Sequence, residues 1–119
     1  MAKKISSYRN KADKMFQRYL IKKHPFCVMC GAPTKVHHHL FPKSSSSALR
    51  FEEDNMVPAC TGCHLGFHSS KAPSFIIRLI AIKGLKWALK LNKIKETSFI
   101  QPTIGFYKEI IEKLDKYGN

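Results

Sequence analysis

Four cysteines, at residues 27, 30, 60 and 63, form the pattern C-x2-C-x29-C-x2-C. Each C-x-x-C pair can aim two thiolates at one point if the chain turns tightly, and four thiolates are a tetrahedral donor set of the kind Zn²⁺ prefers. Gly31, directly after Cys30, suits such a knuckle because it has no Cβ to resist a left-handed turn. The fold must therefore bring residues 27–30 against residues 60–63. The other uses of these cysteines are weaker. The N-terminal stretch lacks the apolar run of a secretory signal and no window approaches the ~18 apolar residues of a membrane span, so a reducing cytoplasm is expected and disulfides are not. The run Cys60-Thr61-Gly62-Cys63-His64 has the form of a c-type haem attachment sequence, but that use leaves Cys27 and Cys30 unexplained. The expected cofactor is a structural Zn²⁺ on Cys27, Cys30, Cys60 and Cys63, adding cohesion that a small core lacks.

A length of 119 residues with 44% apolar content supports one domain with a modest core. The net charge of +13 points to a polyanionic partner, nucleic acid first. The charge is unevenly laid out. Residues 1–24 hold eight Lys/Arg against one acid and residues 71–119 ten against four, while residues 25–70 hold three against three. A neutral middle with every cysteine and all but one histidine is thus flanked by basic arms. The organisation predicted is a single domain over residues 1–119, with a basic helix (1–24), a zinc-centred core (25–70) and a helical C-terminal extension (71–119).

From Ser7 to Lys23 the apolar residues Tyr8, Ala12, Met15, Phe16, Tyr19 and Leu20 fall on one helical stripe, ending near His24-Pro25. "TKVHHHLF" reads as a short strand stopped by Pro42, and "MVPAC" as a second strand. Between them, "PKSSSSALRFEEDN" is a polar loop whose serines suggest mobility rather than packing. "HLGFHSSK" is a short helix or helical turn. "SFIIRLIAIKGLKWALKLNK" is apolar enough to be largely buried, with Gly84 dividing it, and a last helix starts near Pro102 with Ile104, Tyr107, Ile110, Ile111 and Leu114 on one side. The fold class expected is α+β.

Five histidines crowd the middle: His37, His38, His39, His64 and His68. On a helix His64 and His68, four residues apart, share a face and can bind one ion together. That defines a second metal site, distinct from the thiolates. Strand alternation places His37 and His39 on one face and His38 on the other, so either His37 or His38 is the strand's ligand, the latter beside His39 if the strand bends.

The order "HHLFP" (His38 to Pro42), then Asn55, then His64 and His68 resembles the HNH, or ββα-metal, nuclease motif, and the paired knuckles resemble its zinc-stapled members. This resemblance, over Cys27 to His68, implies a treble-clef-like ββα-metal core. It implies His39 as the general base that activates water, and His38 and His64 as ligands of a catalytic cation, with His68 as a further ligand. Asn55 would orient the base or sit at the metal edge. The flanks, "YRNKADKMFQRYLIKKHPFCVMCG", "LRFEEDN" and "IKGLKWALKLNK…FYKEIIEKL", look like the phage lambda NinG, or Rap, recombination nuclease family. That likeness implies cleavage of branched intermediates such as D-loops or junctions, nicked duplex as a further substrate, recombination proteins as partners and the cytoplasm of a bacterial host.

The chemistry suits these residue types. Phosphodiester hydrolysis needs a nucleophile formed near neutral pH and neutralisation of charge on the phosphate and leaving oxygen. An imidazole with a pKa near ~6.5 can take the proton if its other nitrogen is held. A shell of histidines leaves open which divalent cation works, Mg²⁺, Mn²⁺, Ni²⁺ or Zn²⁺. Lys11, Lys14 and Arg18 on the first helix, Lys43 in the serine loop, and Lys86 and Lys90 in the C-terminal helices are the candidate phosphate contacts, which position DNA without reading its bases. A non-catalytic zinc module binding nucleic acid by charge is the alternative. It leaves His38, His39, Asn55, His64 and His68 without a purpose.

Overall fold

The computed structural model describes residues 2–67 and 69–117. Five helices surround one small antiparallel sheet, an α+β arrangement: α1 (Ala2–Lys23), β1 (His37–His39), a 3-10 turn (Glu53–Asn55), β2 (Met56–Pro58), α2 (Thr61–Phe67), α3 (Ala72–Lys83), α4 (Leu85–Thr97) and α5 (Ile104–Asp115). No helix among the described residues is long and apolar enough to cross a membrane.

The hairpin is a partition. Its register pairs His37 with Pro58, His38 with Val57 and His39 with Met56, so facing residues share a side while successive ones alternate. Met56 packs with Met15, Phe16 and Leu20 of α1 and Leu114 of α5 in one core. Val57 packs with Cys27, Ala59 and Leu79 of α3 in the other. His38 thus faces the knuckles and α3, whereas His37 faces α1.

The first helix builds its core from the predicted stripe: Ala12, Met15, Phe16 and Leu20 are buried. It is tied to the sheet by Gln17, whose Nε2 donates to the His37 carbonyl (2.7 Å) and whose Oε1 accepts from the His37 amide (3.1 Å). It is tied to the loop by Asp13, whose carboxylate takes two hydrogen bonds from Arg50, at 3.1 and 2.6 Å. α5 lies along α1. The Thr103 hydroxyl accepts from the Phe106 amide as its N-cap, and Tyr107 and Leu114 are buried.

Two expectations fail here. The stretch 74–93 is helical and divided at Gly84, where φ is +100°, but it is not largely buried. Leu79 and Leu91 are the buried residues given by α3 and α4, while Ile77, Ile82, Leu85 and Leu89 are exposed. Each of these helices packs on one side alone, because the sheet is too short to offer a second layer. The serine loop is not a loose tether either. Ser45 donates to the Pro42 carbonyl, Ser46 is buried and accepts from the Leu49 amide, and Ser47 accepts from the Ile100 amide. Hydroxyls that mark loops in sequence serve here as backbone partners, Ser45 and Ser46 within turns and Ser47 across to Ile100.

Candidate metal centre and active site

The N-terminal knuckle turns as its sequence dictates. The Gly31 amide donates to the Cys27 carbonyl (2.9 Å), the Cys27 amide donates to Ala32 (2.7 Å), and Gly31 takes φ +77°. The Val28 amide donates to the Pro58 carbonyl at 2.8 Å, which joins this knuckle to the end of β2. The second knuckle starts α2, where the Cys60 carbonyl accepts from the His64 amide. α2 begins at Thr61, earlier than the sequence suggested, so Cys63 and His64 are neighbours on one helix.

The sulfurs of Cys27, Cys30, Cys60 and Cys63 all lie within 4.8 Å of one another, with Cys30 Sγ and Cys60 Sγ 3.6 Å apart. Zn–S bonds of about 2.3 Å put tetrahedral sulfurs about 3.8 Å apart, so the cluster fits Zn²⁺. Its electrostatics fit as well. Burial raises the Cys27 thiol, but the amides of Cys60, Cys30 and Met29 overcome this and lower it to about 6. Burial and the neighbouring thiols push Cys63 up to about 12. A divalent cation resolves this tension by favouring thiolate at all four positions.

On the sheet, His38 and His64 are brought face to face, ring centroids 3.5 Å apart and planes 8° from parallel. With His39 they line one small pocket, walled by Leu40, Val57, Ala59, Phe75 and Leu79. His37 points elsewhere. It is buried, its Nε2 lies 2.8 Å from the His24 carbonyl, its Nδ1 has no hydrogen-bond partner among the described residues, and burial lowers its pKa. Of the two histidines considered as the strand's ligand, the structure therefore sets His38 against His64. His68 lies outside the described residues.

His39 is half-buried, with its Nε2 2.9 Å from the Arg50 carbonyl. A carbonyl only accepts, so Nε2 carries the proton and Nδ1 is the basic nitrogen. Burial lowers the His39 pKa; the Arg50 carbonyl opposes the shift and the Lys43 charge adds to it. The ring is therefore neutral at neutral pH.

Asn55 is not among the residues that line the histidine pocket. It is fully buried, its Oδ1 accepting from the Phe41 amide (2.9 Å) and its Nδ2 donating to the carbonyls of Phe41 and Leu49 (both 3.1 Å). The Leu40 amide donates to its backbone carbonyl. Asn55 thus closes the loop on the two segments adjoining His39 and its partner Arg50.

Among the candidate phosphate contacts, Lys11, Lys14, Arg18, Lys43 and Lys86 are exposed. Lys90 differs. Its ammonium lies 2.6 Å from Asp54 Oδ2, which raises its pKa, so it braces the 3-10 turn beside the Trp87 indole, which donates to the Asp54 carbonyl. Sequence reasoning missed Asp13, Gln17 and the Arg50 carbonyl as supports of the histidines. Asp13 had a signal, being the lone acid among eight basic residues in 1–24.

No solved structure matches this chain. Over an alignment of 72 residues that covers 57% of the chain, it is 41% identical to a mitochondrial DNA mismatch repair protein mutS homolog of Sarcophyton glaucum, and the match covers 6% of that protein's length. From the first knuckle to just beyond the second, residues 27–70, the chain matches the HNH endonuclease family.

Proposed function

We propose that this protein is a metal-dependent DNA endonuclease that hydrolyses phosphodiester bonds in branched recombination intermediates. The observation that carries the reading is His39: its Nε2 is fixed on the Arg50 carbonyl, and it shares a pocket with the stacked pair His38 and His64. The match of residues 27–70 to the HNH endonuclease family supports it. The mismatch-repair name of the relative supports DNA as substrate, and the choice of branched forms rests on the resemblance read in the flanking sequence alone.

His39 Nδ1 takes a proton from water as it attacks phosphorus, and the Arg50 carbonyl steadies the imidazolium that results. Asn55 holds both ends of this hydrogen bond in register. His38 and His64, with His68, would hold the catalytic cation; imidazole donors suit Zn²⁺, Ni²⁺ or Mn²⁺ better than Mg²⁺. When bound, that cation neutralises charge on the scissile phosphate and the departing 3′ oxygen. Lys11, Lys14, Arg18, Lys43 and Lys86 place the backbone.

The test incubates zinc-loaded protein with supercoiled plasmid and with D-loop, flap and junction DNA, adding Mg²⁺, Mn²⁺, Ni²⁺ or Zn²⁺ in turn. The expected result is cation-dependent nicking, fastest on branched substrates and abolished by His39→Ala without loss of DNA binding. Absence of cation-dependent nicking, or an unchanged rate in His39→Ala, would leave a non-catalytic zinc module.

A further inference from the structure

We propose that the cleft between α1, the serine loop and the α4–α5 connection binds one unpaired DNA strand, its phosphates on Arg9, Lys43 and Lys95 and a base on Phe99. The proposal rests on the nuclease reading only in naming that strand as substrate. Strand binding itself is measured separately.

The cleft has a volume of about 430 Å³ and is lined by four cations, Arg9, Lys43, Arg50 and Lys95, by serine hydroxyls and by Phe99, with no carboxylate among the described residues of its wall. Two of the cations face Asp13 beneath the wall. Arg50 is committed to it by two hydrogen bonds, while Lys43 lies 4.0 Å away and is half exposed. Arg9 and Lys95 stand on opposite sides, on α1 and α4, as a phosphate backbone running between them requires.

Phe99 selects the kind of nucleic acid. Its exposure, 73%, is the greatest of any large apolar side chain described, and it has no place in either core. Ser47 accepts from the next amide, that of Ile100, at 3.0 Å, so the ring is presented beside the serine loop by a fixed backbone. Paired bases already stack on one another; a lone ring gains a partner from an unpaired base, whatever its identity. The volume falls in the ~300–1,000 Å³ range of sites that enclose a small ligand, which suits a length of single strand and not a rigid double helix.

The cleft is also coupled to His39 by charge. Lys43 and Arg50 act electrostatically on that ring, and Lys95 lies 5.8 Å over the ring of Phe41, two residues beyond it. In this proposal a strand held on Arg9, Lys95 and Phe99 runs on past Lys43 toward His39, as the unpaired arm of a branched molecule would.

Fluorescence polarisation with a labelled oligothymidine and with a blunt hairpin duplex tests this, with zinc-loaded full chain carrying His39→Ala so that the strands stay intact. Phe99→Ala should weaken single-strand binding about 5- to 150-fold and change duplex binding less than about twofold, and Phe99→Trp should restore it. Arg9→Gln and Lys95→Gln should each lower the salt slope for the single strand by about 0.7. Unchanged single-strand affinity in Phe99→Ala, or an equal loss on both DNAs that Phe99→Trp does not restore, overturns the proposal. The two readings fail separately. A protein that cuts DNA while its Phe99→Ala variant binds single strands normally loses the cleft alone. One that shows the Phe99 effect yet never cuts DNA with any cation loses the nuclease reading alone.

Discussion

Replacing Asn55 with aspartate changes one side-chain nitrogen to oxygen, and the surroundings make this change severe. Oδ1 can still accept from the Phe41 amide, but the second oxygen faces the Phe41 and Leu49 carbonyls, both of which received a hydrogen bond at 3.1 Å. The Phe41 carbonyl loses this donor and the Leu49 carbonyl keeps only the longer bond from the Glu52 amide (3.3 Å); at about 1–3 kcal/mol for each lost bond, roughly 2–6 kcal/mol goes from a total of about 5–15 kcal/mol. A protonated carboxyl returns one of the two bonds, so the fold raises this carboxyl's pKa above its unfolded value of ~3.9. With the folded pKa raised, the stability recovered by protonation is fully present below ~3.9 and is lost as pH rises through the folded value, at about 1.4 kcal/mol per pH unit. Asn55→Ala removes all three bonds with no titrating group and is the reference in which any loss of zinc at low pH cancels. Urea unfolding followed by Trp87, the sole tryptophan, whose indole donates to the adjacent Asp54 carbonyl, reports on this site. Between pH 4.5 and 5.5 the aspartate variant should lose up to about 1.4 kcal/mol relative to the alanine variant. A flat difference would refute the reasoning, since the carboxylate would then have found a donor or water and Asn55 would not be sealed against Phe41 and Leu49.

The zinc cluster and the histidine pocket should separate cleanly: Cys63→Ser should lose the bound Zn²⁺ by metal analysis and melt at a lower temperature, whereas the neighbouring His64→Ala should keep Zn²⁺ and its melting temperature while losing activity. The acid limb of kcat should have its midpoint below the ordinary histidine value of ~6.5, because burial lowers His39; removing the charge in Lys43→Gln should move that midpoint up, measured at saturating DNA. His37 and His39 both have lowered folded pKa values, so their contribution to stability is present above ~6.5 and lost as pH falls through the folded values, which urea unfolding across pH 5–7 reads. Lys90→Ala should leave the salt slope of duplex binding unchanged, since its ammonium serves Asp54, whereas Lys14→Ala should lower it by about 0.9 if that lysine meets a phosphate.

Much of this was legible in the sequence where local chemistry dictates geometry. The two knuckles, the strands around HHH and MVP, the first helix with its buried stripe and the break at Gly84 each follow from turn-forming residues or periodicity. Burial beyond one element was not legible. The apolar run of α3 and α4 reads as core, but Ile77, Ile82, Leu85 and Leu89 are exposed because nothing in a window of sequence states how many layers will cover a helix. The serines signalled a loop correctly and its hydrogen bonds not at all. Asn55 was found as a residue of the motif, and its work turned out to be among backbone groups, which carry no letter in the sequence.

The three consecutive histidines make one feature of α1 more consequential than it looks. In most strands a shift of pairing by one residue is refused because it would turn apolar side chains outward. Here such a shift merely exchanges one imidazole for another, so the strand's own side chains resist it weakly. Gln17 supplies the missing discrimination: its amide grips both backbone groups of His37 alone, as a third strand one residue long. A neutral glutamine on a basic helix thus acts as the index mark that decides which of three identical letters meets His64, and it does so without touching any of their rings.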